Sequence, residues 1–236
     1  MKHKILGIVV FGIAMAALEG AVVVYLRALY YPAGFTVALR MIDTQILAVE
    51  ITRELATIVM IAAIGYLTGN TSSQRIAYFL LCFAVWDIFY YVWLKIFINW
   101  PVSIFEWDIL FLIPITWLGP VLAPVICSIT MIILALVILR YEDVTAFSKI
   151  MIALGCTAIL YTFMYDYSAL LIDNNLVYEF PSLLKNKQFL SLASTYSPSF
   201  YNWKIFWLGE TLIGVGIWHI HRPLFSSASK ISAIQS

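Results

Sequence analysis

The chain has 236 residues, of which 63% are hydrophobic and only 11% charged. Soluble domains run near half apolar and a quarter charged, so a soluble globule of this size is excluded and lipid is the expected solvent. A formal net charge of +1 gives no basis for binding nucleic acid.

A transmembrane helix needs about 20 mostly apolar residues. The first such stretch covers residues 5–26. Met1-Lys2-His3-Lys4 and Ala14-Met15-Ala16 resemble a signal peptide and its cleavage site, but the apolar run continues far enough beyond them to predict an uncleaved helix. The second span is expected over 46–68, with Glu50, Arg53 and Glu54 in its first two turns. Gly69-Asn70-Thr71-Ser72-Ser73 is a polar turn leading to a third span over 76–98.

Residues 109–139 are apolar but too long for one ordinary span, and Pro114, Pro120 and Pro124 interrupt their first half. Proline removes a backbone donor and clashes with the preceding turn. This pattern predicts a proline-broken re-entrant or interfacial segment over 105–117, then a fourth span over 120–139. Seven spans, with 109–119 crossing as part of a broken helix, is the alternative. A fifth span follows over 150–172, then a polar, aromatic loop over 173–202. A sixth is expected over 204–221, anchored by Trp203 and Trp207.

The expected fold class is therefore all-α: a polytopic membrane bundle of about six helices. Residues 1–225 would form one transmembrane domain and 226–236 a short mobile cytoplasmic tail. No internal repeat is visible, so the inverted halves of many transporters are not evident. With six spans, Lys2, Lys4, Arg75, Arg140, Lys149, Arg222 and Lys230 fall on one side. Arg27, Arg40, Lys185, Lys187 and Lys204 fall on the other. The excess predicts both termini in the cytoplasm.

Six acids lie within these apolar stretches: Glu19, Glu50, Glu54, Asp87, Asp166 and Glu210. Hydrocarbon does not tolerate unpaired charge, so each must face a bundle interior or a watery cavity, and each is a candidate functional group. Depths taken at about 1.5 Å per residue overlap in the outer half of a core about 30 Å thick. Glu50, Glu54 and Thr57 share one helix face. Asp87, Tyr91 and Lys95 form another i, i+4 series, and Tyr90 and Tyr91 could donate to Asp87 and Glu54.

The bases available are Arg53 and Lys95, with Arg27 at the rim. Some carboxylates must then be protonated or neutralised by a bound cation. Glu19, Glu54, Asp87, Asp166 and Glu210 are accordingly the candidate proton- or ion-binding residues, with Arg53, Lys95 and Glu50 setting the charge. Arg53 is expected to pair with Asp87 or Glu210, and its loss to harm folding more than loss of Arg27. The competing reading is a salt-bridge network that only holds the bundle together.

An oxygen-only metal site would favour calcium, magnesium or manganese, but the Glu-x-x-His motifs of two-metal bundles are missing. His3, His219 and His221 are too few for a pair of histidine-held haems. Cys82, Cys127 and Cys156 lie far apart without a C-x-x-C motif, as buried apolar residues do. Neither Gly-x-Ser-x-Gly nor His-Glu-x-x-His occurs. No cofactor or catalytic residue is assigned.

The block WDIFYYVWLK, WP, WDILFLIP and GPVLAP, from Trp86 to Pro124, together with Glu50-Ile51-Thr52-Arg53-Glu54, resembles a family of uncharacterised bacterial multi-pass membrane proteins. The resemblance covers about a third of the chain. It implies a bacterial cytoplasmic membrane and carries no mechanism. Three functions remain open: a carrier or channel-like protein binding a proton or cation through its carboxylates, a non-catalytic subunit of a larger membrane complex, and a membrane-embedded enzyme acting on a lipid or quinone. The expected partners are membrane lipids, a proton or cation, and further copies of the chain or other subunits.

Overall fold

A computed structural model describes residues 2–32, 34–37, 44–142, 144–177, 186–198 and 200–221. The elements are α1 (Lys2–Tyr30), α2 (Thr44–Thr68), α3 (Ser72–Ile98), β1 (Trp107–Phe111), β2 (Trp117–Pro120), α4 (Leu122–Tyr141), α5 (Ala146–Asp173), α6 (Lys187–Thr195) and α7 (Trp203–His221). The expected tail over 226–236 lies outside the described residues, as do Arg40, Lys185, Arg222 and Lys230.

Local chemistry sets the helix ends. The Thr71 side chain accepts from the Gln74 N–H at the start of α3. Asn99, at φ 53°, turns its backbone N–H onto the Leu94 and Lys95 carbonyls at the end. Thr145 caps α5 through the Ser148 N–H. Such caps satisfy donors and acceptors that the helix itself leaves open. Within the apolar runs no proline interrupts α1, α2, α3, α5 or α7, and each continues without a break.

α1, α2 and α4 all pack on α3, and α5 pairs with α7. α4 joins the two halves through α7. The outward faces carry exposed Leu18, Val59, Ile133 and Leu154. α1, α3, α4 and α5 are long and apolar enough to cross a membrane, by length and composition. The architecture is thus a helical bundle consistent with a multi-pass membrane protein. α2 and α7 complete it, carrying Glu50, Arg53 and Glu54, and Lys204 and Glu210, respectively.

The segment between α3 and α4 departs from the sequence reading. It holds a two-stranded antiparallel sheet, with Trp107 opposite Pro120 and Ile109 opposite Leu118. The broken crossing helix of the seven-span alternative is therefore not formed. Pro114 lies between the strands, Pro120 ends β2, and Pro124 sits in the first turn of α4, where its missing N–H costs no helical bond. The hairpin closes its backbone by Val121 N–H to Glu106 O (2.9 Å) and Leu122 N–H to Ile104 O (2.8 Å). A second addition is α6, inside the stretch expected to be loop. Asn186 caps it through the Gln188 and Phe189 N–H groups.

α5 and α7 approach closely through glycine. A Cβ on Gly155 would lie 2.5 Å from the Gly209 carbonyl oxygen, and a Cβ on Gly209 would lie 2.8 Å from that of Gly155. Small residues let helix backbones touch where lipid supplies no hydrophobic drive. Gly155→Leu is expected to push the helices apart and cost about 1–3 kcal/mol. A melting curve in detergent reads this, with Gly214→Ala as control, since a Cβ there meets nothing within 4 Å. Equal melting of the two variants would remove this account of the contact.

Candidate functional site

The bundle encloses a cavity of about 810 Å³, bounded by α1, α2, α3, the hairpin, α4, α5 and α7. Glu19, Glu50, Glu54, Asp87, Asp108 and Glu210 all line it. Five of these are candidates read from the sequence, brought together from four helices. Asp108, on β1, was missed.

The residues reach the cavity by simple helical geometry. Glu50, Glu54, Thr57 and Ile61 form the buried stripe of α2. The spacing i, i+4, i+7 predicts this shared face. Arg53 is a neighbour of that stripe. Its guanidinium pairs with Glu19 of α1, and its Nε donates to Glu50 at 2.9 Å. Thr57 Oγ1 donates to Glu19 at 3.3 Å. α1 and α2 are thus tied by polar groups while both pack on α3. The expected partners of Arg53, Asp87 and Glu210, are replaced by Glu19 and Glu50, because α1 and not α4 or α7 flanks this part of α2.

A second ion pair closes the hairpin end. Arg27 Nη2 lies 3.2 Å from Asp108 Oδ1, with the side chains 9% and 2% exposed. The guanidinium carbon sits 3.8 Å from the ring centroids of both Phe35 and Trp100. Arg27 is therefore buried between aromatic faces, which corrects its placement at a wet rim. Cation–π attraction strengthens when the site excludes water. The signal for Asp108 is in the sequence: Trp107-Asp108 repeats the Trp86-Asp87 pair and precedes an apolar Ile-Leu-Phe run.

The other three acids have hydrogen-bond donors but no ion-pair partner among the described residues. Glu54 Oε2 accepts from the Leu112 N–H at 2.9 Å. Asp87 Oδ2 accepts from Ser128 Oγ at 2.8 Å, and Glu210 Oε2 from Thr130 Oγ1 at 2.7 Å. Glu210 Oε1 is buried without a partner. Each donor belongs to a different element from its acid, so the acids also fix the hairpin and α4 in place.

Two candidates fall elsewhere. Lys95 is exposed and donates to the Pro101 carbonyl at 2.9 Å, so it does not set the charge of the acids. It is two turns beyond Asp87 along α3. Asp166 faces the neighbouring cluster and not the cavity. It accepts from the Tyr196 hydroxyl at 2.6 Å, beside buried Tyr167. Tyr196→Phe should leave a buried carboxyl short of a donor and cost about 1–3 kcal/mol. Thermal denaturation of the variant checks this, and its behaviour at the cavity should be unchanged.

Among the described residues, no three His, Cys, Asp or Glu side chains are grouped to hold a metal ion. The acids are spread around the wall. Cys82, Cys127 and Cys156 are free thiols, the last two lining the cavity. No family model, curated protein or solved structure matches this chain. Its class rests on its own fold: a helical bundle consistent with a multi-pass membrane protein, with charged groups around a cavity.

Proposed function

We propose that the chain is a small carrier-like protein of a bacterial cytoplasmic membrane, with six helices crossing and both termini cytoplasmic. Its cavity carboxylates bind a proton or a cation. One observation carries this reading: Glu54, Asp87 and Glu210 face a shared cavity, with no basic side chain in ion-pair contact with any of them among the described residues. Carboxylates removed from water are tolerable only when protonated or matched by a cation. Arg27 and Arg53 are already engaged by Asp108, Glu19 and Glu50, and Lys149, which also lines the cavity, makes no ion pair among the described residues. The location rests on the resemblance of the Trp86–Pro124 block, and the orientation on the distribution of basic residues.

Flux into liposomes, followed with a pH-sensitive dye and with monovalent cations, tests the reading. The parent protein should support cation- or proton-coupled flux, and Asp87→Asn or Glu210→Gln should abolish it while the bundle stays folded. Flux unchanged in both variants, or absent from the parent, would argue instead for a structural network. A cytoplasm-specific reporter at the C-terminus checks the orientation, and an outward C-terminus would contradict six spans.

A further inference from the structure

The size and wall of the cavity restrict what it can take. Its volume of about 810 Å³ falls among sites for drug-sized molecules, roughly 300–1,000 Å³, which are mostly apolar and aromatic with a few polar groups. On α3 the lining runs from Ser72 to Tyr91, roughly 28 Å at about 1.5 Å per residue. Charge is segregated along that length. Ser72, Ser73 and exposed Lys149 line one end. Asp87 lies roughly 21 Å along α3 from Ser73. Glu210 follows Gly209, which packs against Gly155, roughly 9 Å along α5 from Lys149. Ile76, Phe79, Leu80 and Phe83 of α3 and Leu134 and Ile138 of α4 line the stretch between, to which neither helix adds a charged residue.

Near the acids the wall is aromatic. The rings of Phe83, Phe111, Trp117 and Phe163 form a row with centroids 6.3, 5.3 and 6.3 Å apart. All four line the cavity and join α3, the hairpin and α5. Trp86 meets the row at Phe111, 6.3 Å between centroids, and Asp87 follows it in the chain. Leu112, next to Phe111, gives its N–H to Glu54. Carboxylates and rings therefore share this part of the wall.

An inorganic cation suits such a wall poorly. Calcium and magnesium take about six or more oxygen ligands, whereas no three His, Cys, Asp or Glu side chains are grouped among the described residues. A small ion would also lose its hydration along the apolar stretch with nothing to replace it. A bulky organic cation spreads its charge, and it gains from apolar burial and from aromatic faces. We infer that the substrate class of this site is a lipophilic organic cation with a bulky, aromatic or otherwise apolar body. This rests on the cation-binding reading above and narrows it. Glu54, Asp87 and Glu210 match the charge, and the aromatic row and the apolar stretch match the body.

Equilibrium binding to the full chain in lipid nanodiscs, with empty nanodiscs subtracted, tests it. The probe is radiolabelled tetraphenylphosphonium. The controls are tetramethylammonium, sodium and potassium as smaller cations, and triphenylphosphine oxide as a neutral molecule with the same rings. The probe should bind saturably and on the order of tenfold or more tighter than every control. Asp87→Asn with Glu210→Gln should weaken the probe on the order of tenfold and leave the neutral molecule unchanged. Phe111→Leu with Phe163→Leu, which keeps apolar bulk but removes two rings, should weaken the probe several-fold without affecting the small cations. Small cations binding as tightly as the probe would overturn the organic class and leave the cation reading standing. The neutral molecule binding as tightly as the probe to the parent protein would overturn the match of charge. No binding of the probe or of any cation would overturn both this inference and the reading it rests on.

Discussion

Arg27→Ala should be the most damaging single substitution outside the helix contacts, lowering stability by about 3–5 kcal/mol in the buried-pair limit. Asp108 is 2% exposed and has Arg27 as its ion-pair partner. Without it, a carboxylate is left in the interior at the root of the hairpin. The aromatic faces of Phe35 and Trp100 lose the cation between them as well. The pair also bridges α1 and β1, so its loss should loosen the hairpin from the bundle. Thermal unfolding in detergent measures the effect. Two variants separate charge from packing. Arg27→Lys keeps a charge but lacks the planar fork that stacks between rings, and should recover part of the stability. Arg27→Ala combined with Asp108→Asn should recover more, because no unpaired charge remains. If the double variant melts no higher than Arg27→Ala, the ion pair is not what holds this end together.

Arg53→Ala should come second. Its guanidinium joins Glu19 on α1 and Glu50 on α2, but its side chain is 21% exposed. Solvent from the cavity therefore softens the penalty, and a loss of about 1–3 kcal/mol is expected. The expected order is Arg27 above Arg53, the reverse of the order the sequence suggests. Glu19→Gln should partly offset the loss by removing one of the stranded acids. A cysteine pair engineered between α1 and α2 should cross-link more slowly in Arg53→Ala, because the polar bridge between those helices is gone. Unchanged stability and cross-linking would reduce Arg53 to a bystander.

The sequence made the helices and their acids legible for a direct reason. In lipid, apolar length is the dominant signal, and the helices observed over Lys2–Tyr30, Ser72–Ile98 and Ala146–Asp173 extend the expected spans by no more than about one turn at each end. The α2 stripe followed from helical spacing alone. Partner choice did not follow, because it depends on which helices are neighbours. Arg53 meets Glu19 because α1 and α2 share α3 as a platform, a fact absent from any local pattern. Lys95 shares the i, i+4 series of Asp87 and Tyr91, yet two turns along the helix carry its side chain out of the site, and here it reaches the Pro101 carbonyl.

The hairpin was the least legible part. Its prolines announced that no helix would continue, but the run from Trp107 to Pro120 carries no tight-turn signature to mark two strands. What makes the strands stable is tertiary. Phe111 lies among Phe83, Trp86 and Trp117, Leu118 is fully buried, and the Leu112 N–H is taken by Glu54. The hairpin thereby brings Asp108 and a backbone donor into the cavity.

A high-resolution map of the full chain in lipid nanodiscs tests the central claim most directly. Density for an ion or a proton-bearing water chain is expected in contact with the carboxylates of Glu54, Asp87 and Glu210, inside an open cavity. A map in which each of these three carboxylates is paired with a basic side chain, and the cavity is closed by packed side chains, would contradict it.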